Sequence, residues 1–384
     1  MGKQKIRVAI ITEDARPAGP QIRIIRVAKR IYNYNTNVSV VHPKNERKSI
    51  GDNFGDAEID GHEIELTRPT MKTIPFIRYV LSFGLDVLRL IQVLKSIMPD
   101  IVHCNGPHQM KGLVAAKALG LPKVWHINDT KTTYLIKNAF ALLKNTLTDG
   151  FIASSVKTIE EYDLMSTSKP ITLVRPPVDT DEFNPQNIPP DKNIVESDEL
   201  SVVTVCNITP IKNLEMFIKV AERINQRIKD ISFYVVGPIY DSKNMYFRKV
   251  KKMSREAKAD IVFSGYKEDV RPALKAADLF LCTSYHESGP LSVFEAMSMK
   301  VPVVSTDVGD LKDIVSQDDK ACFLVDVDDV KSMSHYACKI LTDTKLSIRC
   351  GEAARRIAIA QLSLDNAVER HRAAYDASID SYYA

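Results

Sequence analysis

The sequence predicts an α/β protein built from two doubly wound, Rossmann-like domains facing each other across a cleft. Three observations carry that expectation. Short continuous apolar runs alternate with segments whose apolar residues recur at helical spacing, the mark of a parallel sheet covered on both faces. The alternation stops at a proline-rich polar stretch, "QNIPPDKNIVESDE" (186–199), and then begins again. A chain of 384 residues is also long enough for two or three cores of about 150 residues each.

In order, "IRVAIIT" (6–12) reads as a buried strand that ends in a loop holding Pro17, Gly19 and Pro20, followed by the helical "QIRIIRVAKRIY". "TNVSVVHP" is the next strand, and "FIRYVLSFGLDVLRLIQVLKSIM" (76–98) a long helix. "DIVHCNGP" leads into the helix "MKGLVAAKALG", then the strands "KVWHIND", "GFIASS" and "ITLV". Beyond the polar stretch the series is "LSVVTVCNI", the helix "LEMFIKVAERINQRI", then "ISFYVVGP", "DIVFSGY", "DLFLCTS", "VPVVSTD" and "ACFLVD". The stretch "KSIGDNFGDAEIDGHEIELTRPTMK" (48–72) reads as loop of the N-terminal domain. The two domains meet near 176–200, and sheets of this kind bind ligands beyond the carboxyl ends of their strands.

Composition narrows the function classes. With 45% hydrophobic and 26% charged residues the chain is that of an ordinary soluble globular protein. It has no uncharged apolar window of about 18 residues, and the apolar run near its start is too short for a signal-peptide core. The cysteines, Cys104, Cys206, Cys282, Cys322, Cys338 and Cys350, lie far apart without ligand spacing, which fits reduced, buried thiols in the cytoplasm. The sequons at Asn37 and Asn207 then have no role. Residues 1–178 hold 25 Lys/Arg against 16 Asp/Glu, and the remainder 27 against 32. A basic half suits anionic substrates or an anionic membrane surface. Nucleic acid is not expected as a partner, because no helix-turn-helix, zinc-finger or RNA-binding-sheet pattern is present. The chain also lacks a P-loop, a GxGxxG and a Ser/His/Asp constellation.

The chemistry concentrates in "HESGPLSVFEAMSMKVPVVSTDVGD" (286–310). Pro290 suits the first turn of a helix, and Ser288 and Gly289 suit its cap. The free amides there, with the helix dipole behind them, make an anion site suited to a diphosphate. Glu295 lies roughly 7 Å along that helix at 1.5 Å per residue, so Glu287 and Glu295 can face opposite sides of a pyrophosphate. Each carboxylate can accept from a sugar or ribose diol. A carboxylate at such a place can equally be a plain helix cap.

Taken with the segments around it, this stretch resembles the GT-B glycosyltransferases of glycosyltransferase family 4 over nearly the whole chain. The family's E-x7-E stands as Glu287 and Glu295, followed by Ala296-Met297 and "VPVVSTDVGDLKDIV". "RPPVDTDEFNP" is similar to its hinge signature, "FSGYKEDVRPALKAADLFLCTS" to its base-binding strand and following helix, and "DIVHCNGP" with "VWHIND" to its acceptor-side strands. The resemblance implies a GT-B fold with an acceptor-side domain at 1–177 and a nucleotide-sugar domain at 178–364. A C-terminal helix, about 365–384, is expected to cross back onto the first domain.

Carried over by position, the resemblance gives Glu287 the donor-sugar hydroxyls and Glu295 the ribose. The backbone of Ser288, Gly289, Pro290 and Leu291 takes the phosphates, and Lys212 is the diphosphate lysine. His126 lines the active site, although a histidine ending a strand is by itself more often structural. Gly265, Tyr266 and Lys267 face the base, and Gly19 lets the first loop approach a phosphate. Asn207 stands where the family usually has arginine, and Ala18-Gly19-Pro20 where it often has Gly-Gly. His126, Lys212 and Glu287 are thus the implied catalytic residues.

The implied reaction is retaining transfer of a hexose-type sugar from a UDP- or GDP-sugar to an acceptor hydroxyl in glycan or glycoconjugate biosynthesis. No cofactor or metal takes part. The leaving phosphate accepts the acceptor's proton, and Glu287 positions without attacking. "DTD" (179–181) and "DVD" (326–328) imitate the metal-binding DxD of another fold, but read as turns. A catalytically lapsed sugar-nucleotide-binding subunit, or an epimerase of the same fold, is the alternative. The acceptor can be a carbohydrate, a lipid-linked sugar or a small molecule. Arg78, Arg89 and Lys95 on the long helix allow peripheral contact with the inner face of a membrane, against the plainer reading of a helix packed on its sheet.

Overall fold

The computed structural model describes residues 5–14, 19–44, 54, 59–67, 73–128, 134–191, 199–239, 244–318 and 320–384. They form two units, one of 1–176 with 364–384 and one of 177–363. The chain of the first unit runs β1 (Ile6–Thr12), α1 (Gly19–Ile31), β2 (Thr36–Pro43), β3 (Ile59–Ile64), α2 (Thr73–Ile97), β4 (Ile101–Asn105), α3 (Met110–Ala118), β5 (Lys123–Ile127), α4 (Tyr134–Leu147), β6 (Gly150–Ala153), α5 (Val156–Glu161) and β7 (Ile171–Leu173). Its sheet has the order β3-β2-β1-β4-β5-β6-β7, with every pair parallel. Every residue of β4, β5 and β6 is buried, which is why these strands read as unbroken apolar runs.

The second unit runs β8 (Leu200–Val205), α6 (Leu214–Asn225), β9 (Ile231–Val236), α7 (Asn244–Glu256), β10 (Asp260–Gly265), α8 (Arg271–Ala276), β11 (Leu279–Cys282), α9 (Leu291–Ser298), β12 (Val303–Thr306), α10 (Leu311–Val315), β13 (Phe323–Val325), α11 (Val330–Thr342) and α12 (Thr344–Leu362). The order is β10-β9-β8-β11-β12-β13, again all parallel. Helices pack on both faces. Phe280, Phe294, Met297 and Ile357 lie in one core cluster and Phe217, Phe233, Val304 and Met333 in the other.

The last helix, α13 (Leu364–Tyr383), belongs to the first unit. Val368 and Tyr375 are fully buried in the core that holds Ile10, Val124 and Ile152. Arg30 Nε donates to Asp365 Oδ1 at 2.7 Å, and Tyr382 Oη to the Gly120 carbonyl at 2.7 Å. At Gly150 an added Cβ would lie 2.2 Å from Ser378 Oγ, so a larger residue there would push the Ser378 side chain, and α13 with it, away from β6.

Two sequence expectations change. The segment read as loop contains edge strand β3, whose burial alternates only weakly and whose Gly61 lies against the Phe54 ring. The helix after Glu287 begins at Leu291 with Pro290 as its N-cap, so Ser288 and Gly289 precede the cap.

Candidate active site

In the second unit the sheet order reverses between β8 and β11, the place where an open parallel sheet leaves a crevice beyond its carboxyl ends. The chain leaving β8 makes a 3-10 turn over Pro210–Lys212. Asn213 then takes a left-handed conformation (φ 49°) and caps α6 through its side chain. The chain leaving β11 passes Thr283, Ser284 and Tyr285 to Glu287. Cross-bonds hold the two exits together: Thr283 Oγ1 donates to the Lys212 carbonyl at 2.9 Å, Tyr285 N to the Ile211 carbonyl at 2.8 Å, and Thr306 Oγ1, from β12, to the Ser284 carbonyl at 2.7 Å.

This frame sets Lys212 Nζ 2.5 Å from Glu287 Oε1, and Ser284 Oγ donates to the same oxygen at 2.9 Å. Oε1 is thereby doubly engaged, and no described group bonds Oε2. Lys212 uses one ammonium hydrogen on Glu287, which leaves two for a ligand. The side chains are 20% and 17% exposed. Burial works against the Lys212 charge, but the Glu287 carboxylate outweighs it and the net shift is upward. The neighbouring Cys206 thiol is pushed up to about 12 by burial and is no nucleophile at neutral pH.

At the N-terminus of α9, Pro290 has no N–H and its carbonyl accepts from Val293 and Phe294, while Leu291 N donates to the Gly289 carbonyl. Of the four residues expected to offer amides to a phosphate, Pro290 and Leu291 therefore do not. Ser288 and Gly289 remain, with Ser292 one residue further on. Gly309 (φ 60°) lies under this turn; a Cβ there would meet Pro290 Cδ at 3.2 Å and the Ser288 carbonyl at 3.5 Å. Glu295 is the fifth residue of α9 and partly buried. Asn207 is exposed just past β8.

Gly265 ends β10 at φ 71° with open space where a Cβ would be. Tyr266 is 71% exposed, and Lys267 Nζ pairs with Asp191 Oδ2 at 2.6 Å. The DxD-like runs are turns. Asp179 Oδ1 accepts from the N–H of Asp181 and of Glu182, Asp328 accepts from Asn213 Nδ2 at 2.9 Å, and Asp329 caps α11. Among the described residues no group of His, Cys, Asp and Glu is arranged to hold a metal ion.

In the first unit His126, on β5, lies beside β4 in the register Asn105↔His126. Its Nδ1 is 3.1 Å from His103 Nε2, and His103 Nδ1 is 2.9 Å from Tyr375 Oη on α13. His371, one turn before Tyr375, stacks on His103 with ring centroids 5.9 Å apart. All four are buried to 1% exposure or less. Burial, with the nearby Arg23, pushes the imidazoles down, His371 to about 3, so each is neutral. Burial also lowers Arg23 to about 9, and its Nη2 donates to the Val174 carbonyl at 2.6 Å. Gly19 opens α1. Of this cluster only His126 was marked by the sequence. His371 and Tyr375 share a helix face by their i, i+4 spacing, but nothing local links them to His103. Ser284, Thr283 and Thr306 were likewise unmarked.

Two doubly wound parallel sheets of this order are the architecture of the GT-B fold. The model described as Glycosyltransferase Family 4 matches residues 3–182, and that described as Glycosyl transferases group 1 matches 199–343. The chain belongs to the GT-B glycosyltransferases of family 4, enzymes that move sugar from a nucleotide sugar. It is 24% identical over 290 residues to N-acetyl-alpha-D-glucosaminyl L-malate synthase of Bacillus anthracis, covering 72% of this chain and 74% of that one. It is 25% identical over 283 residues to UDP-Gal:alpha-D-GlcNAc-diphosphoundecaprenol alpha-1,3-galactosyltransferase of Escherichia coli, covering 68% and 72%. Among solved structures, a glycosyltransferase from Rickettsia africae ESF-5 superposes with a TM-score of 0.80 at 17% identity, covering 98% and 99%. Anabaena Alr3699/HepE, in complex with UDP and glucose, does so with 0.75 at 15%, covering 96% and 98%.

Proposed function

We propose that this chain is a retaining, metal-independent glycosyltransferase that moves a hexose-type sugar from a UDP- or GDP-sugar to an acceptor hydroxyl, in the biosynthesis of a glycan or glycoconjugate. The observation that carries the reading is the Lys212–Glu287–Ser284 constellation at the switch point of the second sheet. Lys212, with two hydrogens to spare, meets the diphosphate and stabilises the charge that grows on it as the bond from the sugar's anomeric carbon to phosphate oxygen breaks. The acceptor oxygen bonds to that carbon on the same face, and its proton passes to the departing phosphate oxygen. Glu287 Oε2 accepts from sugar hydroxyls, Glu295 from the ribose, and the backbone around Gly265, Tyr266 and Lys267 borders the base. The amides of Ser288 and Gly289 and the dipole of α9 add positive potential. Lys212 and this helix end together provide the charge that a bridging cation would otherwise supply.

The donor preference draws on the relatives: one is named for UDP-Gal, another for GDP-mannose, and a structural neighbour holds UDP-glucose. The decisive experiment is thermal unfolding against a panel of UDP-, GDP- and ADP-sugars. A bound donor at about 100 times its Kd adds roughly 2.7 kcal/mol; no shift with any of them refutes the reading. Transfer, or slow donor hydrolysis without acceptor, separates an enzyme from a lapsed binding subunit. Activity is expected to survive saturating EDTA, and loss restored by magnesium or manganese would overturn metal independence.

Peripheral membrane contact has its own supporting observation. Ile77, Val80, Leu81, Leu85 and Leu88 of α2 are each at least half exposed, and their spacing puts them along one face. Arg78 and Lys95 are exposed on the same helix. An apolar face with flanking cations suits an anionic leaflet and a lipid-linked acceptor. Among the described residues no helix is long and apolar enough to cross a membrane.

A further inference from the structure

Helix α7 runs against the charge of the half that contains it. Residues 179–384 hold 27 Lys/Arg against 32 Asp/Glu; α7 supplies five of the former and one of the latter in 13 residues, which leaves 22 against 31 for the rest. Arg248, Lys251, Lys252 and Arg255 fall at i, i+3, i+4 and i+7, one stripe roughly 10 Å long at 1.5 Å per residue. All four are exposed. The opposite face fastens the helix to its unit. Val250 and Ser254 are buried, Phe247 meets Phe263 edge-on with ring centroids 5.5 Å apart, and Tyr246 Oη donates to Glu215 Oε2 at 2.5 Å.

Little within the chain answers the stripe. Glu215 takes Lys249, at its margin, at 2.9 Å. Glu256 reaches Lys252 only at 3.8 Å, with both side chains more than half exposed. Among the described residues no carboxylate pairs with Arg248 or Arg255. Arg248 faces Lys251 and Lys252, and Arg255 faces both as well, at the i, i+3 and i, i+4 spacings where like charges destabilise a helix. Packing on the other side holds α7 in spite of this, and the stripe presents its positive potential outward.

We propose that this face of α7 is a docking surface for a linear polyanionic glycan, a chain that carries carboxylate, phosphate or sulfate groups along its length. Cations in single file match charges carried in single file, the chemistry by which Lys/Arg-rich segments hold heparin-like chains. A membrane leaflet would also call for apolar side chains to insert, and Met245 is the one large apolar residue that α7 leaves exposed. Single-stranded nucleic acid would call for open aromatic faces, whereas Tyr246 and Phe247 pack on the core. That the polyanion is a glycan rests on the proposed function, in which the acceptor belongs to glycan or glycoconjugate biosynthesis.

The test is calorimetric binding of a heparin oligosaccharide to the full chain over a range of salt, with no nucleotide sugar present. Arg248→Gln/Lys251→Gln/Lys252→Gln/Arg255→Gln is expected to bind about tenfold or more weakly at about 0.1 M salt, and to flatten the slope of log K against log[salt] by about 3, near 0.7 for each charge removed. Its melting temperature should not fall, because the four side chains are exposed and repel one another. The control Lys275→Gln/Lys320→Gln/Lys331→Gln/Lys345→Gln removes the same charge from exposed, scattered places on the same unit and is expected to keep most of the binding. Equal losses in the two variants would reduce the effect to net charge and overturn the surface, as would a wild-type protein that does not bind heparin. If duplex DNA of matched charge or phosphatidylglycerol vesicles bind wild type more tightly than heparin, and the α7 variant loses that binding, the partner is not a glycan and the proposal falls. If wild-type protein neither binds nor transfers any nucleotide sugar, the proposed function fails, while the heparin titration still decides the surface.

Discussion

Replacing Lys212 with alanine removes a cation whose only described bond is the 2.5 Å contact to Glu287 Oε1. Two effects follow, and the structure separates them. Loss of one positioned donor to a developing oxyanion lowers turnover by about 10²–10³, roughly 2.7–4 kcal/mol. The pair with Glu287 is neutral as a unit, so taking away the ammonium also leaves a bare carboxylate facing a diphosphate. At roughly 5 Å and an effective dielectric of about 20, that repulsion is about 3 kcal/mol, and it raises the donor KM. The double variant Lys212→Ala/Glu287→Ala removes the stray charge and should therefore bind donor better than Lys212→Ala alone, while remaining slow. The fold tolerates the change: the pair is partly exposed, about 1 kcal/mol at most, so the melting temperature should move by only a few degrees. Steady-state transfer or donor hydrolysis, read beside donor affinity by calorimetry, measures all of this. A Lys212→Ala protein with turnover within twofold of wild type, or a double variant with weaker donor binding than the single one, refutes the reasoning.

Acid should loosen the first unit. His103, His126 and His371 are held below the 6.5 of an unfolded histidine, so the unfolded chain takes up protons first; their stabilising effect is complete above about pH 6.5 and falls below it by up to about 1.4 kcal/mol per pH unit for each histidine. For His371 the decline runs down to about 3, and equal urea midpoints at about pH 7.5 and about pH 5 would contradict it. Deleting residues 364–384 should unfold the first unit by stripping Val368 and Tyr375 from its core; a truncated protein with an unchanged melting profile contradicts this. Leu81→Glu with Leu85→Glu should abolish sedimentation with anionic vesicles without changing the melting temperature, since both side chains are already exposed; undiminished binding, or no binding by wild type at low salt, removes the membrane contact.

What the sequence disclosed follows from where the information lies. Strands such as Ile101–Asn105 and Val303–Thr306 are buried on both faces, so their identity is written in consecutive residues. Edge strand Ile59–Ile64 is half exposed, contains Gly61, and gains its order from pairing with Thr36–Pro43; its residues alone carry little signal. The E-x7-E spacing was visible because both glutamates flank one turn. The bonds that organise Glu287 were not, since Lys212 reaches it from beyond another strand, and Thr306, from a third, holds the Ser284 carbonyl beside it, all brought together only by the parallel order of the sheet. The sequence reading sets Pro290 one residue too far into its helix: proline fits either N-cap or first turn, and the Pro290 carbonyl accepting the first intrahelical bond, from Phe294 N, settles the cap.

The return of the C-terminal helix to the first unit also dictates an order of assembly. On the ribosome roughly 190 residues of the continuous second unit are made between the two pieces of the first, an interval of roughly 10–40 s at about 5–20 residues per second. Throughout it, the sheet face formed by Val124, Ile152 and Val174 lacks the helix that covers it in the finished core, and His103 lacks the Tyr375 hydroxyl. The unit synthesised second is therefore the one free to finish first, while the earlier-made sheet waits with apolar surface open to chaperones until residues 364–384 have emerged.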